Sequence, residues 1–269
     1  MAGLDNKSCE RMDFIMDKTY SFASYDWQEQ NKRYTALVKP QHFAVAVKFI
    51  HSKEELDAIP DVHPFTQPGY SCRVIGLASF LNYPVALTRD KQAFYYCAGA
   101  NGLGEKNKDW LAGVPMASDP TRWFRTLEAS KAHTDEMLKT APDGLYAIAA
   151  AALHLNAIKD PDVIVCQLVP AAVFMMLSGL IENNYHRIDL PFIGESSCCD
   201  TWNYTAKTGK PGVSFGCRGD KTQGLLPDIE MRLSMTPDDF EIALQGLERL
   251  RDSGINYPCC CSRVPPELK

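Results

Sequence analysis

The feature that most constrains this chain is a cysteine-rich stretch between residues 196 and 224. It begins with the doublet Cys198-Cys199, and a short apolar run after Pro211 leads to Cys217. Two glycines lie within two residues of this last thiol, and glycine lets a backbone come close to a bulky group. The pattern predicts a polar turn and a strand end that bring soft ligands to one point.

An earlier stretch repeats this design. Pro84 lies twelve residues after Cys72, as Pro211 does after Cys199, and a β-prone run then leads to Cys97. In both copies a glycine follows two residues after the final cysteine. Because the match is short, an internal duplication and a coincidence both stay open. We expect Cys72 in the first turn of a helix, where the positive helix end would lower the pKa of its thiol.

Length and composition narrow the class of protein. A chain of 269 residues can bury roughly three quarters of its unfolded surface, as one domain or two lobes. The first thirty residues hold no apolar core, which predicts no secretory signal and a cytoplasmic location. Ten cysteines in such a chain indicate metal or redox chemistry rather than disulfides. A net charge of −5 without a basic run argues against nucleic acid and anionic membrane as partners.

Hydrophobic periodicity predicts alternating strands and helices. Strands are expected at 43–50, 163–168 and 226–235, helices at 10–37, 53–58, 70–81, 121–140, 171–180 and 240–250, and a buried strand or packed helix at 144–155. The run 163–181 approaches membrane-spanning length, but Gln167 and Pro170 interrupt it, which favours a strand followed by a helix.

This alternation predicts an α/β or α+β fold, in which helices flank a mixed sheet. No low-complexity linker divides the chain. If the repeated thiol pattern reflects two pseudo-duplicated lobes, we expect them to cover residues 38–116 and 143–253.

Four cysteine positions have the right number for a tetrahedral set of thiolates. They are Cys72, Cys97, Cys198 or Cys199, and Cys217. The absence of a Cys-x2-Cys pair favours iron and sulfur over structural zinc. A reactive thiol and simple packing of buried cysteines are the alternatives.

The other cysteines are weaker candidates for metal ligands. Cys166 lies inside an apolar run and is expected to pack, and Cys9 has no partner in the sequence. Successive thiols point to opposite sides of an extended chain, so Cys259, Cys260 and Cys261 cannot all face one ion. An exposed tail is expected there, with an extra ligand or a redox relay as the alternative.

Charged residues beside the thiols are candidates for handling a substrate. Arg218 or Arg73 would hold an anion, and Asp220 or Asp200 would transfer a proton. A solvated turn is the alternative for both groups.

The order of these motifs resembles the DUF169 family of bacteria and archaea. The resemblance covers roughly residues 41–250 and rests on Cys72 before a small-apolar helix, Tyr96-Cys97-Ala98-Gly99-Ala100, Pro161-Asp162-Val163-Ile164-Val165, Cys198-x-Asp200, Thr208-Gly209-Lys210-Pro211 and Cys217-Arg218-Gly219-Asp220. It implies a single DUF169-like domain in the chain 1–269 and a soluble, mostly anaerobe-associated protein whose four recurring cysteines hold an iron–sulfur cluster. The family pattern fits Cys198, whereas the internal repeat favours Cys199.

Two functions follow from these expectations. The first is an iron–sulfur enzyme that acts on a small anionic substrate by redox or lyase-type chemistry, and its four cysteines match the ligand count of a 4Fe–4S cluster. The second is a non-catalytic electron carrier or redox sensor with a redox partner protein. A metal-free thiol-based binding protein explains the cysteine count least well. The oligomeric state stays open, a homo-oligomer included.

Overall fold

The computed structural model describes residues 25–119 and 122–256. In this part of the chain one mixed sheet contains seven strands, β1 Val45–Ile50, β2 His63–Pro64, β3 Val85–Thr88, β4 Ala147–Ala152, β5 Val163–Leu168, β6 Gly212–Ser214 and β7 Met231–Met235. The strand order is β2-β3-β4-β1-β5-β7-β6. Strands β2 and β3 are parallel, and all other neighbours are antiparallel. The predicted α/β fold with a mixed sheet is confirmed.

Helices flank this sheet. Within the described ranges they are α1 Trp27–Val38, α2 Lys53–Asp57, α3 Ser71–Ala78, α4 Tyr95–Ala100, α5 Lys108–Leu111, α6 Val114–Ala117, α7 Leu127–Leu138, α8 Pro170–Ile181, α9 Ser197–Asp200, α10 Trp202–Thr208, α11 Arg218–Thr222 and α12 Pro237–Asp252. Short 3-10 turns follow β3 and β4. None of the helices described is both long and apolar enough to cross a membrane.

The sheet order is symmetric about the central β1–β5 pair when the short edge strand β2 is set aside. One half reads β3-β4-β1 and the other β5-β7-β6, and in each half the chain passes from the central strand to the outer strand and then to the one between. The outer strands β3 and β6 directly follow Pro84 and Pro211. The two thiol patterns therefore occupy equivalent places in the two halves of one continuous sheet.

Along the chain the two halves of the sheet divide after β4, and in the sheet they meet where β1 pairs with β5. Strand β4 pairs with β1 and β3 and so belongs to the first half of the sheet. The lobe boundaries expected from the sequence place β4 in the second lobe instead, which was expected to cover residues 143–253. Those boundaries stay a prediction, because the shared sheet offers no physical division between lobes.

Both faces of the sheet are covered. In β5, Ile164 and Cys166 belong to the core under α1, α8 and α12, whereas Val163 and Val165 belong to the core on the other face. Strands buried on both faces read as continuous apolar runs, which is why β5 was readily predicted. The thiol of Cys166 lies in the first core, where burial raises its pKa to about 12. The structure thus places Cys166 in packing, as expected.

Three predicted elements differ from the structure. The β-prone run before Cys97 is helix α4, because its small residues at 98–100 pack closely and Gly99 lies under the ring of Trp110. The helix expected from 121 begins at Leu127, where Thr126 caps it by accepting from the Ala129 N–H. The strand expected over 226–235 begins only at Met231.

Some predictions lie outside the described residues. They concern Cys9, the first part of the helix expected over 10–37, and the cysteines at 259–261. Within the described residues the helix expected over 10–37 is wrong at 25 and 26, because Asp26 caps α1 by accepting from the Gln28 N–H at 3.0 Å and the helix begins at Trp27.

Candidate functional site

Four of the predicted thiols line one cavity of about 380 Å³. They are Cys72 in the first turn of α3, Cys97 within α4, Cys198 in α9, and Cys217 immediately before α11. The first two come from one half of the sheet and the last two from the other. Elements far apart in the sequence therefore deliver four sulfur atoms to one enclosed space.

The cavity lies on the face of the sheet opposite α1, α8 and α12. Cys198 belongs to the core of this face together with Trp202, and Cys72 packs against the same core. Helices α4, α9 and α11 are all short, with four to six residues each. Short helices joined by turns let the backbone present several side chains to one point.

The doublet Cys198-Cys199 is divided between the cavity and the core. Both residues are buried, and their sulfur atoms lie 3.9 Å apart. Cys198 lines the cavity, whereas Cys199 does not and lies with its sulfur 4.0 Å from the side-chain nitrogen of Asn203. The geometry favours Cys198 over Cys199 as the residue that faces a bound group.

The thiols of the cavity are held in the neutral form by their surroundings. Burial raises the pKa of Cys72 and Cys97, and the neighbouring acidic groups and thiols add to the shift. Burial also raises the pKa of Cys217, with the negative charges of Asp220 and Glu195 as further causes. The expected lowering of the Cys72 pKa by the helix end is wrong, because desolvation outweighs the helix dipole.

A buried polar network links three of the thiol-bearing segments. Arg232 in β7 donates from Nε to Asp220 at 2.9 Å, and both side chains are fully buried. The other carboxylate oxygen of Asp220 accepts from the hydroxyl of Ser197, whose oxygen lies 3.6 Å from the sulfur of Cys217. Arg232 also lies 3.5 Å from the carbonyl of Cys72. The network fixes α3, α9 and α11 relative to one another beneath the cavity.

The residues predicted to hold or protonate a substrate differ in whether they line the cavity. Arg218 is exposed and lines the cavity. Asp220 is buried in the network and is not among the lining residues, nor are Asp200 and Arg73. Both oxygens of Asp200 accept from the Ile193 N–H, at 3.1 and 3.3 Å, and burial raises its pKa to about 7. Their proposed roles stay predictions, but Arg218 is the one of these residues that faces the cavity.

Glu195 is a cavity residue that the sequence reasoning missed. Its buried carboxylate lines the cavity and accepts from the Arg218 N–H at 3.1 Å. Burial raises its pKa. The signal was available, since this acid lies three residues before Cys198. Ser196 beside it has a φ of 66°, and such a left-handed conformation in a residue other than glycine is typical of functional sites.

Arg232 was missed as well, although the sequence also carried a signal for it. It is the charged residue in the otherwise uncharged strand Met231–Met235. A charge in a buried strand requires a partner, so a search for a matching acid would have found Asp220.

The thiols do not converge as ligands of a single ion would. Among the described residues, no group of three His, Cys, Asp or Glu side chains is arranged to hold one metal ion. In an iron–sulfur cluster each thiolate binds a different iron, so the sulfur atoms around it stand further apart than around a single zinc.

Fold and site together define a mixed α/β protein with a cavity lined by one buried cysteine, three half-buried cysteines and an exposed arginine. The chain belongs to the DUF169 family, described as "Uncharacterised ArCR", whose model matches residues 35–246. The match covers every strand that the structure describes and all four cavity cysteines. Neither the curated proteins nor the solved structures contain a match to this chain.

Proposed function

We propose that this protein is an iron–sulfur enzyme of the cytoplasm that acts on a small anionic substrate. The observation that carries the proposal is the meeting of Cys72, Cys97, Cys198 and Cys217 at one cavity. Four thiols from four separate elements are more than packing requires. Four is also the number that a 4Fe–4S cluster takes.

The donor set fits such a cluster in its chemistry. Buried thiols with raised pKa values are poor nucleophiles on their own, but they become thiolates when a group with iron displaces their protons. The fully buried Arg232 lies beside the carbonyl of Cys72, and its positive charge offsets the negative charge of Asp220, which otherwise adds to the raised pKa of this thiol. When bound, the cluster would supply one-electron redox chemistry or Lewis acidity.

The residues around the thiols favour an enzyme. The cavity of about 380 Å³ lies within the range of roughly 300–1,000 Å³ found for small-molecule sites. Arg218 lines it with an exposed guanidinium that would bind and orient an anion. The carboxyl group of Glu195 lines the same space beside the thiol of Cys217 and would hold or accept a proton of the substrate.

One observation favours the alternative, a non-catalytic electron carrier or redox sensor. All four thiols line the cavity, so a cluster bound by all of them would have no iron left open for a substrate. Such a protein would exchange electrons with a redox partner protein.

A ligand titration separates the two functions. The protein is purified without air, and the electron paramagnetic resonance spectrum of its reduced form is recorded with and without small carboxylates. For an enzyme we expect the anion to perturb the spectrum, and the perturbation to weaken in Arg218→Ala. The matched control Arg187→Ala removes an exposed arginine that is not part of the cavity. A spectrum indifferent to every anion would favour the carrier, and a protein free of iron and sulfide would contradict both.

A further inference from the structure

The cavity contains more than its thiols. Five aromatic rings and Met116 also line it, and the rings belong to Tyr70, Phe94, Tyr96, Trp123 and Trp202. An eight-atom iron–sulfur core needs thiolate ligands but makes no use of so many aromatic rings. The aromatic part of the cavity is therefore suited to a second occupant beside the thiols.

Two of these rings are almost fully buried, and their polar atoms point into the protein. The hydroxyl of Tyr96 lies 3.1 Å from the hydroxyl of Thr134, and the indole N–H of Trp202 donates to Asn101 at 3.0 Å. The amide nitrogen of Asn101 in turn donates to the carbonyl of Cys97. Because these polar atoms are already engaged by the protein, these two rings form an apolar wall of the cavity and offer an occupant no hydrogen bond.

Two exposed residues that line the cavity, Trp123 and Arg218, are suited to bind the second occupant. Trp123 is 51% exposed, which is unusual for so large an apolar side chain. Among the described residues, the guanidinium of Arg218 makes no hydrogen bond and no ion pair, although its charge acts on the nearby carboxylate of Glu195. A guanidinium with unused donors beside aromatic rings matches a carboxylate attached to a flat ring.

We infer that the substrate is a small aromatic carboxylate, whose ring lies among the aromatic side chains and whose carboxylate pairs with Arg218. This inference rests on the proposed function and gives its anionic substrate a chemical class. The stacked ring would be held next to the thiol-lined part of the cavity. An aliphatic anion would engage Arg218 but would leave the aromatic surfaces unpaired.

The test compares three probes by isothermal titration calorimetry on the anaerobically purified protein. Benzoate carries both the ring and the charge, acetate carries only the charge, and benzyl alcohol carries only the ring. We expect benzoate to bind at least tenfold more tightly than either of the others. Trp123→Ala and Arg218→Gln should each weaken benzoate binding about tenfold or more. Their matched controls are Tyr185→Ala and Arg187→Gln, which change exposed residues outside the cavity lining and should leave binding unchanged.

The outcomes separate this inference from the cluster. Benzoate binding no tighter than acetate, or equal loss in the control variants, overturns the aromatic class even if the protein contains iron and sulfide. If the protein contains neither iron nor sulfide but still ranks benzoate first, the cluster proposal fails and the aromatic class stands. Absence of binding by all three probes also overturns the inference.

Discussion

Arg232 shows how much a single residue contributes to this site. Its side chain is fully buried in β7, and its charge is matched by the equally buried Asp220. It also donates to the carbonyl of Gly224 at 2.7 Å, next to the turn that closes α11. A buried charge that loses its partner is far more costly than an exposed one. The pair therefore supports the wall of the cavity that carries Cys217.

Removal of this arginine should destabilise the protein strongly. Arg232→Met keeps much of the side-chain volume but leaves Asp220 buried without its partner, which should cost about 3–5 kcal/mol. Urea unfolding of the metal-free protein measures this loss. The control Arg187→Met breaks an exposed pair with Asp189 and should change stability little. Similar stability of both variants would show that Asp220 does not depend on Arg232.

The doublet gives a second prediction at this scale. Cys198→Ala should lose most of the iron, because Cys198 lines the cavity. Cys199→Ala should keep it, because that thiol lies outside the lining beside Asn203. Iron per protein is measured for both after anaerobic purification. Equal retention, or loss in Cys199→Ala alone, would contradict the assignment of Cys198.

The sequence indicated which thiols share the cavity more readily than where the acids lie. Cysteine spacing marked Cys72, Cys97 and Cys217 and left the choice between Cys198 and Cys199 open, and the structure places Cys198 in the cavity lining. Asp220 and Asp200 were chosen because they lie near thiols in the chain, but both side chains turn into buried hydrogen bonds. Which way a carboxylate turns depends on partners such as Arg232, twelve residues away, and spacing alone does not reveal this.

At the scale of elements, the contact between α8 and α12 holds one face of the sheet. The helices approach closely where Gly179 meets Gly246, and a Cβ at position 246 would lie 2.0 Å from the carbonyl oxygen of Gly179. Because glycine has only a hydrogen atom as its side chain, the backbones of α8 and α12 can pack at this distance. The pair therefore sets how closely α12 covers the sheet.

Gly246→Ala should lower stability although alanine favours helices. Overpacking a close contact costs about 1–3 kcal/mol, which exceeds the gain in helix propensity of roughly 1 kcal/mol. Thermal unfolding would show a lower midpoint. Gln245→Ala, on the exposed side of the same helix, is the matched control and should change the midpoint little. A raised midpoint in Gly246→Ala would show that the helices can move apart without cost.

The turn before β5 gives a prediction about pH. Burial raises the pKa of Asp162, whose carboxylate accepts from the Phe49 N–H at 2.7 Å. A carboxyl group with a raised pKa in the folded state binds protons more tightly there than in the unfolded chain. Its contribution to stability is therefore present at low pH and is lost as pH rises above about 4 and through the folded pKa.

Asp162→Asn should remove this loss of stability at higher pH, because asparagine does not titrate. Its side-chain oxygen can still accept from the Phe49 N–H. The difference in free energy of unfolding between variant and wild type should shift in favour of the variant as pH rises. Urea unfolding at a series of pH values measures it. If the free energies of unfolding of variant and wild type differ by the same amount at every pH, the pKa of Asp162 is the same in the folded and the unfolded state.

Helices and strands with strong hydrophobic periodicity could be predicted from the sequence, whereas short ones could not. The expected 163–168 strand coincides with β5, and the helix after it with α8 to within one residue. Helix α4 was taken for part of a strand because Phe94, Tyr95 and Tyr96 favour strands locally. Tertiary packing against Trp110 overrides this preference, and no local pattern records such a contact.

At the scale of the whole molecule, the symmetric sheet explains why four thiols meet. Each half supplies one thiol before its outer strand and one after it, and the halves join edge to edge through β1 and β5. The repeat in the sequence matches this arrangement in its prolines and final cysteines, but it favoured Cys199, which lies outside the cavity lining. The pairing of the halves was not predictable, because it depends on strand order rather than on motif spacing.

The most direct test of the account is the iron and acid-labile sulfide content of the protein and of a set of single variants, all prepared without air. The wild type should contain near-stoichiometric iron and sulfide and absorb broadly in the visible range. Cys72→Ala, Cys97→Ala, Cys198→Ala and Cys217→Ala should each lose most of both, whereas Cys166→Ala, a buried thiol in the opposite core, should keep them. A wild-type protein free of iron and sulfide, or equal loss in Cys166→Ala, would contradict the claim that the cavity thiols hold a cluster.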